Sequence, residues 1–389
     1  MKFAEFFAGV GLVREGLEST GWQCAWANDI SADKMQTYVE NYGDDHFHLD
    51  DIWKVAAEPE KIIPRDIFLY TASFPCTDLS VAGGRAGLAG EESGTLRAVL
   101  NILQQKKLAD DLPKVVMLEN VSGFLTSHNG KDVAETVMVL SDLGYVIDII
   151  ELDAVLFTPQ SRPRVFLIAV NEGIASQLMC VKKSQNNCDL WWEKFDEQPE
   201  LRSGKLKKII ASNEDLNWGL FNIPIPQPRS LILDDIVEVD IPIESPLWWS
   251  SERKEHLFSQ MSQAHQLKLQ SMIESSGYSY GTVFRRMRSG RSMAELRTNG
   301  VAGCLRTPKG GSSKQILVRA GYGDWGVRLL TPREYARLQG VRDSFILPDN
   351  ANKGYFAMGD AVCVPAIEHL SKYALYPVYK KVNELSLSA

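Results

Sequence analysis

No stretch of the 389 residues approaches the ~18 consecutive apolar positions that a membrane helix needs; Val165–Val170 has the length of one buried strand. No signal-peptide pattern is present either, since Met1-Lys2 runs straight into Phe3-Ala4-Glu5-Phe6-Phe7 without a small-residue cleavage site. Cysteine is sparse and scattered, at Cys24, Cys76, Cys180, Cys188, Cys304 and Cys363. No two of them form a Cys-x-x-Cys pair, so neither a zinc site nor a disulfide framework is expected, and we expect no metal. Internal repeats and low-complexity tracts are missing. These absences predict a chain of a reducing compartment, the cytoplasm. Hydrophobic residues at 44% and charged residues at 23% exclude a disordered or fibrous chain. At ~150 residues per domain the length suggests two domains, or one with a large insertion.

The net charge of −7 argues against a polyanion partner until its distribution is read. Residues 281–320 hold nine basic side chains: Arg285, Arg286, Arg288, Arg291, Arg297, Arg306, Lys309, Lys314 and Arg319. Glu295 is the single acid there, so this window carries +8 and the rest of the chain −15. A polyanion-binding face on an acidic body and a merely solvated basic surface both fit.

Residues 1–170 alternate between strand and helix patterns. Strand runs are Phe3–Phe7, Cys24–Asn28, Ile67–Ala72, Val115–Glu119, Val146–Leu152 and Val165–Val170. Helical patterns are Leu12–Glu18, Asp33–Tyr42, Thr95–Lys107 and Lys131–Leu143, the last closed by Gly144. Such alternation predicts βαβ units around a parallel sheet, with the last two strands as an antiparallel pair. From 171 to 326 the chain becomes rich in Trp, Pro and Ser, with short strands and irregular loops. Periodicity returns at Leu330–Gln339, opened by Thr331-Pro332, and at Ala366–Val378.

Four motifs carry chemistry. Phe6-Phe7-Ala8-Gly9-Val10-Gly11 sits at a strand-to-helix turn, where glycines let the backbone approach a ligand. A dinucleotide fingerprint needs a third Gly where Arg14 stands, so NAD is disfavoured. Acids at two further strand ends, Asp29 and Asp51, point to an adenosine-containing cofactor without a pyrophosphate. Ser73-Phe74-Pro75-Cys76-Thr77-Asp78-Leu79-Ser80 follows a strand, which puts Cys76 in the crevice where open sheets bind ligands. The Gly-rich loop after it suits a lid, and we read Cys76 as a nucleophile and the other five cysteines as structural. Glu119-Asn120-Val121 ends the next strand, either as a working acid or as a helix cap. Gln160-Ser161-Arg162-Pro163-Arg164 enters the last strand, and a spacing of two predicts that both arginines face one side. A cysteine, a glutamate and arginines at one sheet edge suggest attack on a polarised ring.

In this order and spacing the motifs resemble those of the DNA cytosine-5 methyltransferases, S-adenosylmethionine-dependent enzymes of the bacterial and phage modification type. The likeness runs on through Arg328-Leu329-Leu330-Thr331-Pro332-Arg333-Glu334, Arg337-Leu338-Gln339-Gly340 and Gly359-Asp360-Ala361-Val362. Departures from the family pattern are Leu12 for a second Gly, Thr77 for Gln after the nucleophile, Asp29 for Glu, Asp50 for Gly, and Asp360 for Asn.

The resemblance implies a Rossmann-like mixed seven-stranded sheet of the class I methyltransferase type, with a smaller, irregular target-recognition domain. Domains are then expected at 1–170 (catalytic, cofactor-binding), 171–326 (target recognition) and 327–389 (a return segment on the catalytic domain). By resemblance Cys76 attacks C6 of a cytosine flipped from the duplex, and Glu119, Arg162 and Arg164 complete the catalytic set. S-adenosylmethionine, leaving as S-adenosylhomocysteine, is implied at Phe7, Gly9, Gly11, Asp29, Ile30, Asp51, Ile52, Pro75, Leu96, Asp360 and Ala361. Double-stranded DNA is implied at Ser80, Arg85, Arg285, Arg286, Arg288, Arg306, Lys309 and Lys314. A monomer of the bacterial cytoplasm and nucleoid is expected; whether a cognate restriction endonuclease shares its site stays open. Two other readings remain beside it: a transfer-RNA cytosine-5 methyltransferase, and a catalytically inactive DNA-binding regulator of the same fold.

Overall fold

Seven strands make the main sheet: β1 (Lys2–Phe6), β2 (Gln23–Asp29), β3 (Phe47–Leu49), β4 (Leu69–Ser73), β5 (Val115–Val121), β6 (Tyr145–Asp153) and β7 (Pro163–Asn171). Their order is β3-β2-β1-β4-β5-β7-β6. β1 lies parallel between β2 and β4, β5 is parallel to β4, and β7 runs antiparallel to β5. The computed structural model describes residues 1–76, 87–90, 93–182, 188–288, 290–307 and 314–388. Strands covered on both faces read as continuous apolar runs, and Val115, Val116, Met117 and Leu118 are at most 1% exposed. The helices Leu12–Glu18, Ala32–Tyr42, Leu96–Leu108 and Lys131–Asp142 lie where their periodicity predicts. β3 has no signature in the sequence because three residues are too few to show an alternation.

The chain divides into two compact units. One comprises Met1–Leu152, Pro163–Pro226 and Val364–Ala389; the other comprises Asp153–Arg162 and Gln227–Cys363. These limits differ from divisions after 170 and 326. Residues 171–226 join the first unit because its core takes their large side chains. Trp191, Phe195, Leu206 and Trp218 are at most 2% exposed and cluster with Val116, Ile147 and Leu167. Asp148 on β6 holds the same segment, accepting from Arg202 Nη2 at 2.6 Å and Phe221 N at 2.8 Å. A two-residue pair, β8 (Cys180–Val181) with β9 (Gly219–Leu220), also lies here.

Of the expected return segment, only residues from Val364 belong to the first unit. Trp22 Nε1 donates to Ser371 Oγ at 2.9 Å. Gly16 admits Ile367 so closely that a Cβ at Gly16 would lie 2.7 Å from Ile367 Cβ. The final helical region is longer than its periodicity suggests: a helix Val364–Leu370, a π turn Ser371–Leu375, and a helix Tyr376–Ser388.

The second unit carries an antiparallel sheet of order β11-β10-β12-β13, formed by β10 (Ser279–Arg288), β11 (Arg291–Arg297), β12 (Ile316–Gly321) and β13 (Asp324–Leu329). Its core holds Leu257, Leu269, Val283, Leu296, Val318 and Val327, none above 2% exposed. A four-stranded sheet thus stands where the sequence predicts short strands and irregular loops; the ten residues of β10 exceed that reading because its consecutive arginines hide the alternation. The helix Pro332–Leu338 is opened by a capping box. Thr331 Oγ1 accepts from Glu334 N at 3.1 Å, and Glu334 Oε2 accepts from Thr331 N at 2.7 Å. The Glu334 carboxylate also pairs with Arg328 at 2.5 Å, and both side chains are fully buried. No helix among the described residues is long and apolar enough to cross a membrane.

Glu5 on β1 is 2% exposed, and burial pushes its carboxyl from 4.5 up to about 8, with Arg14 opposing the rise. The folded protein therefore keeps this proton over a range where the unfolded chain has released it. Stability from this source is complete below pH 4.5 and is lost as pH rises through about 8. The urea midpoint of the wild type should fall relative to Glu5→Gln between pH 5 and pH 8. Parallel midpoints across that range would contradict the assignment.

Candidate active site

β1 delivers the chain into Phe7-Ala8-Gly9-Val10-Gly11 and thence into the helix Leu12–Glu18. Phe7 (φ 55°), Gly9 (φ 57°) and Gly11 (φ 84°) all take the left-handed conformation that favours glycine. Gly9 N donates to Asp29 Oδ2 and Ser31 N to Asp29 Oδ1, each at 2.8 Å. The carboxylate is thereby oriented, while each oxygen keeps a further lone pair for a ligand. A Cβ on Gly9 would meet only Lys34 Cδ, at 4.0 Å, so the space over the turn is open; one on Gly11 would lie 2.6 Å from the Tyr42 ring.

Asn28 Nδ2 donates to His48 O at 2.8 Å and Asp50 O at 2.9 Å, tying the end of β2 to the approach of Asp51. Asp51 Oδ1 accepts from Trp53 N at 2.9 Å as the cap of the next helix. Ile30 is 70% exposed beside Asp29, whereas Ile52 and Leu96 are core residues at 4% and 0%, able to meet a ligand only through their backbone. An open glycine turn, an exposed aliphatic side chain and an oriented carboxylate can receive a nucleoside.

β4 ends at Ser73, and Phe74-Pro75-Cys76 follow. Ser73 stands opposite Glu119 in the parallel β4–β5 pair. Asn120 Nδ2 donates to Phe74 O at 2.9 Å, which stitches the turn bearing the half-buried Cys76 to the strand bearing Glu119. Arg164 lies opposite Val121 in the antiparallel β5–β7 pair, and its Nε stands 3.0 Å from Glu119 Oε1. Both side chains are largely buried. Cys76, Glu119 and Arg164 therefore gather at one edge of the main sheet.

Arg162 does not share a face with Arg164. β7 begins at Pro163, so strand alternation does not reach position 162, and the residue belongs to the second unit. Its N donates to Asp153 Oδ1 at 2.6 Å. Its guanidinium donates to Leu305 O at 2.8 Å, Gly359 O at 3.1 Å and Ala361 O at 2.7 Å, at 1% exposure. Gln339 Nε2 donates to the same Ala361 O at 2.9 Å, so two side chains fix the backbone beside the exposed Asp360.

Ser80, Arg85 and Lys309 lie outside the described residues, as does the side chain of Arg288. Arg286 is paired with Glu295, and strand alternation turns Arg285 to the other face of β10. Lys314 Nζ donates to Asn352 Oδ1 at 2.6 Å. Arg306 is exposed, its guanidinium 5.4 Å from the centre of the Phe284 ring. Among the described residues, no three His, Cys, Asp or Glu side chains are grouped so as to hold a metal ion. The stitching roles of Asn28 and Asn120 are not read from the sequence, although Asn120 lies inside the Glu119-Asn120-Val121 motif. Their one sequence signal is an amide next to a strand-end acid, Asn28 before Asp29 and Asn120 after Glu119.

A family model described as C-5 cytosine-specific DNA methylase matches residues 1–374. The type II methyltransferase M.Bsp6I of Bacillus sp. (strain RFL6) is 26% identical over 377 residues, covering 96% of this chain and 98% of that protein. M.HpaII of Haemophilus parainfluenzae, also a type II methyltransferase, is 24% identical over 389 residues, covering 96% and 88%. The fold is similar to S. pombe Dnmt2 methyltransferase, with a TM-score of 0.60 at 16% identity over 97% of this chain and 99% of that one. It is likewise similar to a putative DNA modification methyltransferase of an E. coli prophage, with a TM-score of 0.58 at 17% identity over 98% and 99%.

Arg162→Ala removes three bonds from a buried cation to carbonyl oxygens and should lower the unfolding free energy by about 3–5 kcal/mol. Arg162→Lys should recover less than half of that, because one ammonium lacks the fork that spans the three carbonyls. Urea unfolding measures both, and an unchanged midpoint in Arg162→Ala would show that these bonds carry no stability.

Proposed function

The chain belongs to the C-5 cytosine-specific DNA methylase family, and we propose that it methylates its target cytosine through a covalent bond between Cys76 Sγ and C6 of the ring. The observation that carries this reading is the bond from Asn120 to Phe74 O, which fastens the cysteine turn to the Glu119 strand. The activity itself, DNA cytosine-5 methylation, comes with the family, and so does S-adenosylmethionine as the methyl donor.

The target cytosine leaves the duplex stack at a cost of a few kcal/mol. The Cys76 thiolate then adds to C6, and the electron pair of the C5–C6 bond moves toward C4 and N3. Glu119 shares a proton with N3 as that charge develops and accepts from the exocyclic amine. Arg164, 3.0 Å from Glu119, orients the carboxylate and serves the ring carbonyl oxygen. S-adenosylmethionine supplies an electrophilic methyl group on a sulfonium. C5 would take up that methyl as S-adenosylhomocysteine leaves; water would accept the C5 proton as the bond to Cys76 breaks, restoring the double bond and the thiolate. One difficult substitution at an unreactive carbon becomes two easier steps.

The donor would be held by Phe7, Gly9, Gly11, Asp29, Ile30 and Asp51, by the backbone at Ile52, Pro75 and Leu96, and by Asp360 and Ala361. Arg162 we assign to positioning, since both of its terminal nitrogens bond carbonyls of its own unit. We assign the first unit to chemistry and the second, with its basic sheet, to the DNA target. The type II names of the relatives support a modification enzyme with a cognate restriction endonuclease acting on the same site. We take it to work as a cytoplasmic monomer.

Bisulfite sequencing of plasmid DNA from expressing cells should show 5-methylcytosine at one recurrent motif. Cys76→Ala should lower turnover by about 10⁴-fold or more. A duplex with 5-fluorocytosine at the target should trap the wild type as a covalent adduct. Turnover on the normal duplex without any adduct on the fluorinated one would refute the covalent step. Methylation confined to transfer RNA would redirect the substrate.

A further inference from the structure

The basic segment of the second unit is less uniformly available than its sequence suggests. Arg319 lies between Trp248 and Tyr278, its guanidinium 4.7 Å from each ring centre. Arg286 is closed on Glu295, and Lys314 on Asn352. Among the exposed polar side chains that make no hydrogen bond or ion pair with any described residue are Lys268, Arg297 and Asn299.

Strand alternation places one of them beside an aromatic ring. Val283 and Leu296, opposite each other in β10 and β11, face the core. Thr282 and Phe284 with their partners Arg297 and Glu295 therefore take the other face of the hairpin. A cavity of about 560 Å³ is lined by Phe284, Glu295, Arg297 and Asn299 from the hairpin and its following loop and by His265 and Lys268 from the helix Gln263–Ile273. Its size falls within the roughly 300–1,000 Å³ of ordinary ligand clefts. The side chains lining it are all from the second unit.

We propose that this cleft reads the DNA target, with Arg297 and Asn299 selecting bases that flank the methylated cytosine and Lys268 gripping a phosphate. The proposal rests on the chain acting on duplex DNA. A planar guanidinium matches O6 and N7 of guanine with two parallel bonds, and a primary amide matches N6 and N7 of adenine. A lysine ammonium is a point charge suited to a phosphate oxygen and carries no sequence information. Phe284 gives the cleft an apolar wall, and Glu295 is occupied by Arg286, so it does not quench Arg297.

The test uses the full chain and a pool of duplexes with randomised positions around a cytosine, scored by bisulfite sequencing. Arg297→Ala should lose about 10- to 100-fold of the preference for guanine at one flanking position. Arg297→Lys, which lacks the fork, should lose most of it too. Asn299→Ala should relax a different position. Lys268→Ala should keep the motif but bind more weakly, with the salt slope of log K reduced by about 1. Arg297→Gln, closer in volume and polarity, carries the test if the alanine variant fails to fold. An unchanged motif with unchanged relative rates in both Arg297→Gln and Asn299→Ala would overturn the proposal. A uniform loss of affinity with the motif intact would also overturn it, leaving a phosphate grip alone. If the wild type itself methylates no duplex in the pool, the activity reading falls first and this one with it.

Discussion

A strand parallel to β5 would deliver its first residues to the sheet edge far from Glu119. β7 runs the other way, so its opening residue pair stands against the closing pair of β5, with Arg164 opposite Val121. That reversal is what lets one guanidinium reach the Glu119 carboxylate at 3.0 Å. A carboxylate this deeply covered needs a partner, because an isolated buried charge is strongly disfavoured. The parallel β4–β5 pair then fixes where Cys76 can be, since Ser73 is held opposite Glu119 and the Asn120 amide holds Phe74. The candidate site is thus a property of three neighbouring strands and their directions.

The second unit depends on buried charge in a different manner. Arg328 and Glu334 are fully buried and paired, and Glu334 also caps its own helix through Thr331 N. Arg162 gathers carbonyls from residues 305, 359 and 361. Each arrangement sets the two terminal nitrogens of a buried guanidinium against backbone or carboxylate oxygens. They define the local path of the chain at both sides of the basic sheet.

Much of the first unit was legible because its strands are apolar on both faces and its helices carry a clean 3.6-residue period. The cysteine turn, Glu119 and the glycine turn could be picked out because each ends a strand, where open sheets bind ligands. What escaped had a physical cause in each case. β3 is too short to show a period. The tryptophan-rich stretch 171–226 looks like a separate body by composition, yet its bulk fills the first core. Arg162 and Arg164 are two apart, but the alternation rule holds only inside a strand, and β7 starts between them. Cross-strand pairing, not spacing along the chain, separates Arg286, closed on Glu295, from Arg297, which stands opposite Thr282.

The close seating of Ile367 on Gly16 has a consequence for biogenesis. Thr20 and Ser371, in hydrogen-bond contact at 2.6 Å, are 351 residues apart in the chain. At about 5–20 residues per second, ribosomal synthesis separates the emergence of the two by roughly 20–70 s. During that interval the side of the helix that Gly16 presents to Ile367 has no partner, so a nascent or truncated chain leaves that contact unmade. Completion of the first unit is therefore tied to translation of the last helices, and the slow closure of so long a loop is built into the order in which the polypeptide is made.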